Sequence, residues 1–297
     1  MCGIVGLFLK DDSLKKELGR YFVPMLTAMT ERGPDSSGVA VYSKQSNNGG
    51  YKFSLFHPDE NFDWDHLETK ISDEWKISRE KQLGRYLILS GHLEKKEFNR
   101  WLKENFPSII VMGVGKEMEI FKDTGSPASV AEKYKLSQTK GYLMIGHTRM
   151  ATESAVNVEG SHPYSSGFDL CLVHNGSYSN HNSIRRILVD EGMEFDSWND
   201  TEVAAKYIEW KLTKGDDLEA TLQNMMKDFS GFFTLAIGLK NQFAVIRDSF
   251  ACKPMVIAEN KKYVAAASEF RALAHLPDIN EADIFEPQPE EIHIWSK

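Results

Sequence analysis

A cysteine at position 2, within Met1-Cys2-Gly3-Ile4-Val5-Gly6, is the first residue of this chain with chemistry of its own. Removal of the initiator methionine would leave one residue carrying both a thiol and a free α-amine. Unperturbed, these groups titrate near ~8.5 and ~8, so the amine can take the thiol proton close to neutral pH. The sulfur is then a nucleophile with its own base attached. The same cysteine also reads as a plain buried strand residue beside an apolar run. Attack by a thiolate on an amide carbonyl creates an oxyanion, which needs donors already in place. His174-Asn175-Gly176 offers an Asn carboxamide beside a Gly backbone N–H. Asn-Gly between apolar runs is equally the favoured two-residue hairpin turn.

Other residues suit the recognition of a small zwitterion. Arg149, in Gly146-His147-Thr148-Arg149-Met150-Ala151-Thr152, presents a planar fork matched to a carboxylate, and Thr152 could add a hydroxyl contact. A surface salt bridge is the alternative for Arg149. In Trp198-Asn199-Asp200-Thr201-Glu202, Asn199 and Glu202 have the spacing of a helix capping box, which leaves Asp200 available to an ammonium or to the helix dipole. His147, His162, His174 and His181 form no His-x-x-x-His pair and no cysteine cluster accompanies them, so no metal site is expected. No Gly-x-Ser-x-Gly elbow supports a serine hydrolase.

These residues need elements to hold them. Residues 3–9 read as a buried strand, and Leu14 to Met29 have helical spacing with a break expected near residue 22, so that Pro24 falls in the first turn of a second segment. A loop at residues 31–38 feeds a strand at 39–42. Residues 44–140 mix possible strands at 52–56, 86–90 and 108–113 with a helix at 95–105. From 141 onward, apolar runs at 142–147, 169–174, 232–239, 243–247, 254–258 and 263–267 predict strands. Helices are predicted at 181–190, 200–213 and 217–228. Strands clustered in runs, with helices between the runs, point to antiparallel sheets with helical layers, an α+β chain.

Composition narrows the class. The chain has 297 residues, is 41% hydrophobic and 26% charged, and contains no apolar stretch near the ~20 residues of a membrane helix. A net charge of −8 argues against nonspecific nucleic-acid binding. Neither nucleotide-binding glycine fingerprint is present. Cys2, Cys171 and Cys252 are odd in number and scattered, as expected of reduced thiols, and Cys252 is expected to be packed. No secretory signal is visible, so a cytoplasmic protein is expected, with neither a nucleic acid nor a membrane as partner.

Taken as a set, these motifs resemble the class II glutamine amidotransferases, which are N-terminal nucleophile hydrolases. The resemblance rests on the Cys2 start, Arg32-Gly33-Pro34-Asp35-Ser36-Ser37-Gly38, His147-Thr148-Arg149 with Thr152, His162-Pro163, His174-Asn175-Gly176 and Asp200-Thr201-Glu202. Ser230-Gly231-Phe232-Phe233, Arg247-Asp248, Lys253-Pro254 and Ala267-Ser268-Glu269 extend it. It covers residues 1–43 and 141 to about 275. Where many relatives carry Trp after the arginine and His-Gly after the threonine, this chain has Met150 and Glu153-Ser154.

The resemblance implies a four-layer αββα sandwich with two antiparallel sheets, one domain over residues 1–297 with an elaborating insertion at about 44–140. It also implies that Cys2 is the nucleophile and that Asn175 with Gly176 forms the oxyanion hole. Arg149 would hold the α-carboxylate of L-glutamine and Asp200 its α-ammonium, while Arg32 and Gly33 position the mature N-terminus. No cofactor is implied. The expected activity is glutaminase action through a Cys2 thioester, the ammonia passing to a separate synthase subunit of the glutamate synthase or N-methylglutamate synthase type. A free-standing amide hydrolase and a noncatalytic glutamine-sensing module are the alternatives.

Overall fold

The computed structural model describes residues 2–46, 48–151 and 156–297. The apolar opening forms β1 (Gly3–Leu9), and a 3-10 turn over Asp12–Lys16 leads to α1 (Leu18–Thr27), β2 (Ser36–Tyr42) and β3 (Tyr51–Phe56). Next come α2 (Trp64–Glu74), β4 (Ile77–Leu83), β5 (Tyr86–Gly91), α3 (Lys95–Asn105), β6 (Ile110–Gly115), β7 (Met118–Thr124) and α4 (Pro127–Lys133). The second half runs through β8 (Leu143–Arg149), β9 (Tyr164–Ser166), β10 (Leu170–Tyr178), α5 (His181–Asp190), α6 (Asp200–Thr213) and α7 (Leu218–Asp228). It ends with β11 (Gly231–Leu239), β12 (Gln242–Arg247), β13 (Val256–Glu259), β14 (Tyr263–Ala267), β15 (Asp283–Phe285) and β16 (Ile292–Ser296).

Two antiparallel sheets stack at the centre. The first has strand order β15-β13-β14-β1-β8-β2-β7 and the second β16-β12-β11-β10-β9. Strand alternation decides what each face meets. In β10, Cys171 and Val173 join the core between the sheets, while Leu170 and Leu172 face a second core; Ala236 against Leu235 and Ile237 in β11, and Phe243 and Val245 against Ala244 and Ile246 in β12, divide in the same way. That second core is completed by Val203, Ile208 and Leu222 from α6 and α7. On the far side of the first sheet, Phe22 and Leu26 of α1 press on Gly146, and on its near side the Phe243 ring lies against Gly6. The layers are therefore helix, sheet, sheet, helix, and the expected αββα sandwich is present.

Residues 44–140 do not behave as one insertion. β7 pairs along its whole length with β2, and Val130 and Ala131 of α4 pack beside α1 in the main core, so residues 118–133 belong to the sandwich. The added unit is a third antiparallel sheet, β4-β5-β3-β6, with α2 and α3 on one face through Trp64, Leu67, Ile71, Phe98 and Leu102. Its other face puts Phe56, Tyr86 and Ile88 into the main core.

Local expectations fail where packing overrides pattern. Pro24 lies inside a continuous α1 and the chain breaks at Glu17 instead. Pro24 is on the exposed side while Leu18, Phe22, Met25 and Leu26 are buried, so the missing N–H costs one exposed helical bond and the apolar contacts keep the helix whole. Asn175-Gly176 is no turn: β10 runs straight through it and pairs with β11. Among the described residues, no helix is long and apolar enough to cross a membrane.

Candidate active site

Cys2 sits just ahead of β1, the strand that lies between β14 and β8. The register sets Gly3 opposite Thr148 and brings Arg149, the last residue of β8, to the same end of the sheet. The start of β1 is tied down from several sides. Ile4 N donates to Ser268 Oγ (2.9 Å), and Ser268 N returns a bond to Ile4 O (3.0 Å). The Cys2 carbonyl accepts from Arg32 Nε (2.9 Å) and Asn175 Nδ2 (3.1 Å). Arg32 is buried and its charge is met by Glu269 (2.8 Å), which Arg271 also grips (2.7 Å). Gly33 is needed by proximity: a Cβ there would lie 2.4 Å from Arg149 N. Arg32 and Gly33 thus both bear on the N-terminal end of the first sheet.

The thiol is in an environment that favours ionisation. Burial by itself pushes Cys2 up, yet the His147 hydrogen bond and charge and a hydrogen bond from the Met150 backbone outweigh it and bring the thiol down to about 7. His147 Nε2 also meets Asn175 Oδ1 at 3.2 Å, which orients the carboxamide so that its Nδ2 faces Cys2. Gly176 follows with φ +141°, and a Cβ there would lie 2.0 Å from the Phe232 carbonyl oxygen. Only glycine fits this position.

Beyond His147 runs a buried polar row. The His147 and His162 rings lie 4.2 Å apart. His162 Nε2 and His174 Nδ1 both reach Thr201 Oγ1, at 2.9 and 3.0 Å, and that hydroxyl faces Asp200 Oδ1 at 3.3 Å. Burial holds His162 well below its ordinary value and His174 down to about 4, the latter against the pull of Asp200, so both rings are neutral near pH 7. A hydroxyl has one proton, and the Asp200 carboxylate can only accept. Thr201 therefore donates to Asp200 and accepts from both rings, which fixes both tautomers. The other Asp200 oxygen, Oδ2, accepts from Tyr178 N (3.2 Å).

Asp200 opens α6, and the cap differs from the expected box. Asn199 accepts from Thr201 N (2.8 Å), but Glu202 turns away to accept from Asp196 N and Ser197 N (2.8 and 2.7 Å), bracing the preceding loop. Arg149 is half-buried with its guanidinium beside Gly160, and its charge, like that of Asp200, is felt at Tyr164. A cavity of about 350 Å³ opens beside Cys2, lined by Glu31, Arg32, Met150, Glu269 and Arg271. Exposed aromatic side chains flank the region: Trp198 next to the α6 cap, and Phe232 and Phe250 next to the Gly176 segment.

The structure thus brings Cys2, Asn175, Arg32 and Gly33 into direct proximity and joins Cys2 to Asp200 through the histidine row. Thr152 lies outside the described residues. Sequence reasoning gave no role to Ser268, Glu269 or the three histidines. The only signal was their place inside the motifs, since partners 27 to 264 residues apart leave no local pattern. No group of three or more metal-binding side chains occurs among the described residues. Cys252 is exposed rather than packed, in the surface turn after β12, whereas Cys171 is buried against the Tyr42 hydroxyl (3.3 Å).

Comparison with known proteins gives a consistent set of similarities. Residues 147–275 match the family model described as a glutamine amidotransferase domain. The chain is 43% identical, over 99% of its length and 98% of the relative's, to the glutamine amidotransferase-like protein GlxB of Rhizobium meliloti. A protein of Methanothermobacter thermautotrophicus assigned as a glutamine amidotransferase is 31% identical over 99% of both chains. Among solved structures, the glutamine phosphoribosylpyrophosphate amidotransferase of B. subtilis superposes with a TM-score of 0.63 at 19% identity. That match covers 99% of this chain and 47% of the solved one, so this chain spans about half its length.

Proposed function

Because the chain belongs to the class II glutamine amidotransferases, we propose that it hydrolyses L-glutamine to glutamate and ammonia through a thioester on Cys2. The observation that carries this reading is the Cys2 thiol, lowered to about 7 and hydrogen-bonded to a His147 that also orients Asn175. After loss of Met1, the α-amine takes the thiol proton and Sγ attacks the side-chain carboxamide. Asn175 Nδ2 and the Gly176 N–H receive the oxyanion. The C–N bond breaks as the Cys2 ammonium protonates the leaving ammonia, and water then cleaves the thioester, releasing glutamate and restoring the thiol. Arg149 holds the α-carboxylate, with Thr152 contributing its hydroxyl, and Asp200 binds the α-ammonium, steadied by Thr201 and the Tyr178 N–H.

The ammonia passes to a separate cytoplasmic synthase subunit of the glutamate synthase or N-methylglutamate synthase type. Trp198 (85% exposed), Phe250 (73%) and Phe232 support a docking face, since all three lie around the site and grouped apolar surface marks interaction faces. The test is a glutaminase assay of the trimmed chain alongside Cys2→Ala. The substitution is expected to abolish ammonia release and reaction with a glutamine-like electrophile while leaving the circular dichroism spectrum unchanged. Full activity in Cys2→Ala would sink the assignment. Copurification from native cells should yield a synthase polypeptide that accelerates ammonia release; equal turnover alone and in complex would remove the subunit part of the reading.

A further inference from the structure

A second concavity, about 820 Å³, lies between the sandwich and the added sheet, far from Cys2. β1 and β8 fix the separation. Both meet the active site at Gly3 and Arg149, and both end at the cleft, where Leu9 N bonds Tyr142 O, a strand length of about 20 Å away. Seven lysines and three glutamates line it. The glutamates are all engaged: Glu119 by Lys52 (3.1 Å) and Lys81 (2.7 Å), Glu117 by the Tyr142 hydroxyl (2.6 Å) and Gln45, and Glu80 by Ser90 (2.6 Å). Lys15 is paired with Asp12 (3.0 Å). Among the described residues, the remaining four, Lys16, Lys44, Lys135 and Lys140, make no ion pair and no side-chain hydrogen bond, although they come from three separate segments.

A protein of net charge −8 that gathers four unpaired ammonium groups around one concavity has built a local positive field against its overall charge. The floor lysines are already engaged, the buried Lys52 by Glu119 and by the Lys44 carbonyl (2.8 Å), and the lining as a whole keeps more ammonium than carboxylate groups. Only the rim cations are available to a ligand. The volume exceeds what a single inorganic anion needs and falls within the range of small-molecule sites. Leu83 and Tyr142 add wall for an uncharged part. We propose that this cleft binds a small ligand carrying two or more phosphate groups, held by Lys16, Lys44, Lys135 and Lys140, at a site separate from glutamine chemistry.

Titration calorimetry of the full chain at constant ionic strength, with inorganic pyrophosphate and with ADP, tests this. One-to-one saturable binding of either probe is expected. In Lys44→Gln/Lys140→Gln it should weaken about tenfold, the equivalent of two exposed ion pairs, with the melting temperature unchanged. ADP binding more tightly than pyrophosphate would show that the uncharged part is also recognised, and equal affinities would assign recognition to the phosphates alone. Failure of both probes to saturate by about 10 mM, equal affinity in the double variant, or binding of a polyglutamate peptide that pyrophosphate does not displace would overturn the proposal.

Discussion

At the level of single residues, the proposed chemistry depends on two protons on Cys2. With Met1 attached, the Cys2 nitrogen is an amide and has no lone pair for the thiol proton, so the untrimmed chain should be inactive. In the proposed mechanism the thiolate is the attacking form, and with Met1 in place its surroundings already bring the thiol down to about 7. Protonation removes the nucleophile, so kcat/KM for glutamine should rise with pH through about 7 and fall about tenfold per unit below it. A pH profile of ammonia release checks this; a rate unchanged down to pH 5.5 would contradict it. Cys2, Asn175 and Arg149 could be nominated from sequence only through the joint occurrence of their motifs, since each alone also suits a buried thiol, a hairpin turn or a surface salt bridge. The histidines could not, since His147, His162 and His174 acquire roles only from rings and hydroxyls that strand pairing places beside them.

At the level of elements, β10 carries the proposed oxyanion donors in a strand whose backbone departs from ordinary extended geometry at one point. Gly176 has φ +141°, and an added Cβ would meet the Phe232 carbonyl of β11 at 2.0 Å. Gly176→Ala should destabilise the protein by about 3 kcal/mol or more and sharply reduce glutaminase turnover. Thermal unfolding and a single-turnover assay read the two effects, and a variant with wild-type stability would refute the steric argument. β7 positions the site from the opposite edge of the first sheet. Its Lys122 is fully buried, pulled down to about 8 by burial, and donates to the Ser161 carbonyl (2.9 Å) in the loop that carries His162. Continuous apolar runs made β10 to β12 legible. β4 was hidden because its residues, Ile77-Ser78-Arg79-Glu80-Lys81-Gln82-Leu83, form a charged edge strand, in which exposed charges discourage further pairing and mask the apolar pattern.

For the whole molecule, the buried histidine row couples stability to pH. His174 lies at about 4 and His162 well below its ordinary value, both because burial disfavours the charged ring. In the unfolded chain both titrate near ~6.5, so below that pH the unfolded state binds protons that the native state refuses. This contribution is intact above about pH 6.5 and is lost as pH falls toward 4. The melting temperature should drop by about 5–10 °C between pH 6.5 and 4.5, and His174→Gln should flatten the slope. An unchanged melting temperature over that range would show that the rings are not held neutral. The sequence by itself nominated the reacting groups and determined the strands and helices of the second half and the layered class, because these follow from the joint set of motifs, from apolar runs and from the helical period of 3.6 residues. Tertiary structure alone decided that residues 118–133 belong to the sandwich, that Asn-Gly lies within a strand, that Cys2 reaches Asp200 through buried histidines and that unpaired lysines converge on a distant cleft. Each of these depends on contacts between segments far apart in the chain, and neither composition nor local periodicity encodes which distant residues share a wall.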